Sequence, residues 1–317
     1  MDSLRLLSDQ KAGQRSQLPD WAAPRGRGLS ELDAAFAAGV ALKALDDLVR
    51  SEPVWAGCWR SRQALRCAAA TMRWMGRGED EAALRDALAL TVAGGDPGPA
   101  GQVLVAFRRL GSRKAGLSLK MLEDLAGPFG LSAGDDFSPI LDMAERAQQS
   151  GCAVPFALAD LISSLHAIRP DAVPLGWALA DAMIAARLKW PVAVPLLMGE
   201  CQGVAFRVAG GRGRVSPGEP GFQRAVCLAL VDAVNVALRS AAEIGRRADA
   251  LLTAAPKVRT KGAAAVIAKL LAEDAVAASA PGTGLSRWAA TRLFERLEGF
   301  GAVRELSGRP SFRIYGV

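Results

Sequence analysis

The sequence predicts a mainly α fold, in which a multi-helix N-terminal and central domain is followed by a small C-terminal winged helix-turn-helix with a β-hairpin wing. Two observations carry this. Apolar residues recur at spacings of three and four through most of residues 29–256, the period of one helix face. Two short strand-favouring runs, 302–306 and 311–315, flank the turn-rich Ser307-Gly308-Arg309-Pro310 at the end. The chain has 317 residues, room for about two domains. The expected division is a loose leader at 1–28, an all-α domain at 29–256 and the winged domain at 257–317.

The leader is polar and carries Pro19, Pro24, Gly26 and Gly28. Ser30 then opens a helix ending before Pro53, with Leu32, Phe36, Val40 and Leu45 expected on its buried face. Residues 54–75 form a second helix, whose Trp55, Trp59 and Trp74 read as core aromatics, and residues 79–92 a third. After a break at 94–99, helices resume at 102–110, 119–125 and 139–149. The segments 155–170 and 174–191 both contain Ala-Leu-Ala-Asp and both close on proline, which suggests a duplicated helical hairpin. Their acids, Asp160 and Asp181, read as helix-edge or capping groups rather than a catalytic dyad. Residues 203–220 hold Gly210, Gly211, Gly213 and Gly218 among arginines. No strand precedes them and no Gly-Lys-Ser/Thr follows, so they read as a mobile surface loop, not a phosphate loop. Residues 221–255 are the longest periodic stretch and predict a core helix leading into the tail.

In the tail, residues 262–274 predict the first winged-domain helix, and a short second helix is expected within 275–280. The third is the best defined. Ala289, Ala290, Leu293, Phe294, Leu297 and Phe300 make its apolar stripe, Ser286 its N-cap, and Gly299 and Gly301 its end. In the hairpin that follows, period-two alternation places Val303, Phe312 and Ile314 inward. Arg304 and Arg313 then face outward, with Arg309 at the tip.

Charge and inventory narrow the function. The net charge is +7, and residues 257–317 hold ten Lys or Arg against five Asp or Glu, so most of the excess lies in the tail. One histidine, His166, and one tyrosine exclude a histidine-clustered metal site; no Gly-x-Ser-x-Gly elbow is present. The expectation is no enzyme, no cofactor and no metal. Five scattered cysteines read as reduced core thiols, and no long uncharged run suggests a membrane span, so a cytoplasmic protein is expected.

The order of FAAGVAL, EDEAALRDA, GGDPGPAG, ARLKWPVAVPLL, APKVRTKGA and the closing segment from Leu285 resembles the domain of unknown function 1403 family, uncharacterised alphaproteobacterial and often plasmid-borne proteins. The resemblance covers nearly the whole chain and implies a stable architecture, with no functional residues to carry over. From the residues themselves, duplex DNA is the expected partner. Arg287, Trp288, Thr291 and Arg292 would face bases, while Lys257, Arg259, Lys261, Arg304, Arg309 and Arg313 would hold phosphates. The helical body would oligomerise, for instance as a homodimer, or sense a signal, as in a transcriptional regulator or plasmid maintenance factor. The alternative is a protein–protein adaptor whose winged domain binds protein. Glu295 and Glu298, on the helix face that would meet DNA, favour it.

Overall fold

The computed structural model describes residues 18–19, 21–22, 29–92, 94–132, 134–208, 212–278, 284–309 and 312–317. Among them run α1 (Glu31–Ser51), α2 (Ala56–Trp74), α3 (Glu81–Ala89), α4 (Gly98–Leu110), α5 (Leu119–Ala126), α6 (Ser138–Gln149), α7 (Val154–Ile168), α8 (Val173–Leu188), α9 (Phe222–Ala254), α10 (Ala263–Ala272) and α11 (Arg287–Gly299). Three short antiparallel strands complete the order, β1 (Val276–Ala277) before α11, then β2 (Arg304–Glu305) and β3 (Ile314–Gly316). The chain is mainly helical, with one small sheet at its C-terminal end.

Helix α9 is the axis of the body, and α1 lies along it. A capping box starts α1, with Asp33 N donating to Ser30 Oγ at 3.1 Å and Ser30 N to Asp33 Oδ2 at 3.2 Å. Its buried face is Ala34, Ala37, Ala38, Ala41, Leu42, Leu45 and Val49, which corrects the expected one. Leu45 is buried, but Leu32 is 79% and Phe36 61% exposed. The alanines win because α9 also offers small residues, Ala225, Ala229, Ala233 and Ala237, and two small-residue faces approach closely along their length. Trp59 ties α2 to the same axis, its Nε1 donating to Ala237 O at 2.9 Å. Helices α7 and α8, the two Ala-Leu-Ala-Asp segments, pack on each other as a hairpin.

The two acids of that pair sit in different settings. Asp160 is exposed and accepts from Gln223 Nε2 at 3.0 Å. Asp181 is wholly buried and accepts from Leu196 N at 2.9 Å and Leu197 N at 3.2 Å, so it caps the turn that becomes a 3-10 helix at Leu197–Glu200. Burial pushes its carboxyl up to about 8 against the pull of those two donors. The cysteine expectation holds for Cys58, Cys67 and Cys227, which are buried, but Cys152 is exposed; all five are free thiols. Most of 1–28 lies outside the described residues, as do 209–211 of the glycine loop. Leu18 and Ala22, however, are buried, and the loop's flanks pair through Val215 N to Phe206 O at 2.8 Å.

The tail shares its core with the body. Val266, Ile267, Leu270, Phe294, Leu297, Tyr315 and Val317 belong to the same continuous cluster of buried apolar residues as α1 to α9. The approach is close enough to need glycine, since a Cβ on Gly57 of α2 would stand 2.8 Å from Ala272 O at the end of α10. Two expectations fail here. Where a second tail helix was expected, in 275–280, the chain forms β1, which pairs Val276 with Tyr315 and Ala277 with Ile314; residues 279–283 lie outside the described ones. Phe312 does not point inward either. It is 63% exposed with φ 57°, which breaks the alternation just before β3.

Candidate nucleic-acid interface

Helix α11 starts where its sequence says it should. Ala289 N donates to Ser286 Oγ at 3.3 Å, and at the far end Gly301, at φ 65°, lets Ala302 N reach Leu297 O at 3.0 Å. Ala290, Leu293, Phe294 and Leu297 are buried, and the Phe294 ring lies flat against Tyr315 with centroids 4.4 Å apart. That stack clamps α11 to β3. Phe300, expected in the stripe, is instead exposed, with Lys257 Nζ 5.6 Å from its ring centroid.

The clamp fixes what α11 shows to solvent. Arg287, Trp288 and Arg292 are exposed, Trp288 at 79%, and Thr291 is half-buried, its hydroxyl donating to Arg287 O at 2.9 Å. All four expected base-facing residues thus fall in the first two turns, three of them open to solvent. Neither Arg287 nor Arg292 has an ion-pair partner among the described residues. Glu295 and Glu298 are exposed further along the helix.

The expected phosphate set divides. Lys257, Arg259 and Lys261 are exposed on the segment between α9 and α10, and Arg313 is exposed before β3. Arg304 and Arg309 are exposed, as the alternation predicts, but each also has a carboxylate partner on the body. Arg304 Nη1 lies 3.8 Å from Glu243 Oε1 on α9; burial, then the nearby Arg247 and Arg62, lower its guanidinium from the ordinary value. Arg309, at the hairpin tip, donates to Asp86 of α3.

Beneath the hairpin lies a polar group the sequence did not single out. Asp274, between α10 and β1, is 7% exposed, and its two oxygens accept from Arg62 Nε of α2 and Arg85 Nε of α3. Burial raises its carboxyl, but the charges of Arg62 and Arg85 and their hydrogen bonds outweigh that and hold it below the ordinary 3.8. Arg62 Nη2 also reaches Val317 O at 3.3 Å. A second partly buried pair, Arg66 with Glu200, links α2 to the 3-10 turn that Asp181 caps. These partners are far apart in sequence and follow no motif.

Among the described residues no cluster of three or more His, Cys, Asp or Glu is placed to hold a metal. One helix is long and apolar enough to cross a membrane by length and composition, spanning Phe222–Lys257, and 61% of its most apolar window is buried inside the fold, as in a core helix. Residues 6–317 match the family model described as Protein of unknown function (DUF1403), and the chain belongs to that family. No curated protein matches it.

Proposed function

We propose that the protein binds duplex DNA through residues 257–317, folded as a winged helix-turn-helix variant, and acts as a transcriptional regulator or plasmid maintenance factor. The observation that carries the reading is the start of α11, where two unpaired arginines and an exposed tryptophan stand on a helix clamped from behind by the Phe294–Tyr315 stack. The strand order β1-β3-β2 around α11 supports a winged arrangement, with β1 in place of part of the expected second helix. The phosphate contacts fall to Lys257, Arg259, Lys261 and Arg313, while Arg304 and Arg309 stay with the body.

Fluorescence anisotropy of the full-length protein on random and then selected duplexes, at several salt concentrations, tests this. Affinity should fall steeply with salt. Arg292→Ala should cost roughly 1–3 kcal/mol on the preferred sequence and flatten the preference. No binding at low salt would move the interface to a protein partner. That second reading is favoured by the exposed Trp288 and Phe312 beside Glu295 and Glu298.

A further inference from the structure

A cleft at the C-terminal end of α4 is lined by more cations than acids. It has a volume of about 120 Å³ and lies between the C-terminal end of α4, the loop 111–118 and α5. Its charged lining is Arg109, Arg113, Lys114 and Lys120 against a single carboxylate, Asp124. Arg113 donates to Asp124. That hydrogen bond, with the charges of Arg113, Lys120 and Arg109, outweighs burial and holds the Asp124 carboxyl below its ordinary value.

Apart from Arg113, which pairs with Asp124, those cations have no other task that the structure shows. A basic end to a helix usually serves the free carbonyls of its last turn. Here Arg109 O already accepts from Ser112 N at 3.2 Å, Arg113 N at 3.0 Å and Ser112 Oγ at 3.3 Å. Arg108, next in sequence, is spent on Glu273 at 3.4 Å. Arg109, Lys114 and Lys120 have no ion-pair partner among the described residues. The loop that carries Lys114 is held, since Ala115 N donates to Pro191 O at 2.9 Å and Lys114 bridges Val192. Four cations around one cleft face a single acid, Asp124, which is already paired with Arg113, so an anion entering the cleft would meet net positive charge.

The floor decides which anion. Leu110, Leu125, Ala182 and Ala193 are buried and line the bottom of the cleft. Inorganic phosphate would leave that floor unused. The volume also lies below the roughly 300–1,000 Å³ of sites for drug-sized ligands. We propose that the cleft binds a small organic carboxylate, its head group between Arg109, Lys114 and Lys120 and its short hydrocarbon or aromatic body against the Leu110–Ala182 floor. The site lies in the body and does not depend on what residues 257–317 bind.

Isothermal titration of the full-length protein with sodium hexanoate and sodium benzoate tests it, with hexanol and inorganic phosphate as the apolar and ionic halves alone. One acid or both should bind at a single site, more tightly than either half. Arg109→Gln and Lys120→Gln, both at exposed positions, should each weaken binding about tenfold, the effect of losing one charged hydrogen bond; Lys114→Gln is the third such variant. The proposal is overturned by no heat from either acid at millimolar concentration, by hexanol or phosphate binding as well as the acids, or by unchanged affinity in folded variants.

Discussion

Asp274 is the most informative residue to remove. It is 7% exposed, and its carboxylate is the shared acceptor of Arg62 and Arg85, themselves mostly buried. Asp274→Ala therefore leaves Arg62 without its anion, and Arg85 with only the more exposed Glu81 at 3.7 Å, in a low-dielectric seam between body and tail. Breaking a buried pair this way costs about 3–5 kcal/mol, a large share of a typical stability of roughly 5–15 kcal/mol. Replacing all three groups by apolar ones, Asp274→Leu with Arg62→Met and Arg85→Met, should recover most of the loss, because no charge is then stranded. The pH sign follows from the lowered carboxyl. Its stabilisation is fully present above the ordinary 3.8 and is lost as pH falls through the lower folded value, so Asp274→Asn should show a flatter acid limb than wild type. Urea denaturation followed by circular dichroism measures the first two, and the same titration in acid the third. A loss below about 1 kcal/mol in Asp274→Ala, the range of an exposed surface pair, would refute the buried-seam reasoning.

Asp181 has the opposite sign. With its folded carboxyl near 8, its contribution is full below the ordinary 3.8 and is lost as pH rises to about 8. Asp181→Asn should remove that neutral-range slope in denaturation midpoints. Asp181→Ala should also orphan Leu196 N and Leu197 N, at about 1–3 kcal/mol each. Gly57→Ala would ordinarily add up to about 1 kcal/mol of helix propensity, but its Cβ meets Ala272 O at 2.8 Å. A net loss of roughly 1–3 kcal/mol is expected by thermal unfolding, and a gain would show that α2 and α10 are not so close. Asp86→Asn releases Arg309. If the tail binds DNA, affinity by anisotropy should rise and the salt slope steepen by about one, while an unchanged slope would mean that Arg309 does not reach phosphate.

What could be read in the sequence was local. Helix α11 carries its own start at Ser286 and its own end at Gly301, so both the element and its solvent face were legible. The long apolar period of α9 was equally plain. Strand β1 was not, because Ala275 to Ala280 is alanine-rich and reads as helix by propensity; its pairing with Ile314 and Tyr315 overrides that preference. The buried face of α1 was misread for a related reason. Leu32 and Phe36 are the larger hydrophobes, but α9 presents alanines, and a small-residue face fits it more closely than a bulky one does. Phe312 departs from alternation through a positive φ that no neighbouring glycine announces.

The hairpin arginines show most clearly why a candidate interface cannot be read from cation count alone. Arg304 and Arg309 belong by sequence to a basic tail, yet their nearest acids are Glu243 on α9 and Asp86 on α3. A phosphate brought to the hairpin would have to compete with carboxylates already in place, and added salt would weaken both pairings together. If the tail binds DNA, counterion release would come mainly from the cations without a carboxylate partner beforehand, each neutralised phosphate adding about 0.9 to the slope of log affinity against log salt. Among the described residues those are Lys257, Arg259, Lys261, Arg287 and Arg292; Arg313 is not among them, since its guanidinium interacts with the Tyr315 side chain and is attracted by Glu295 and Glu298.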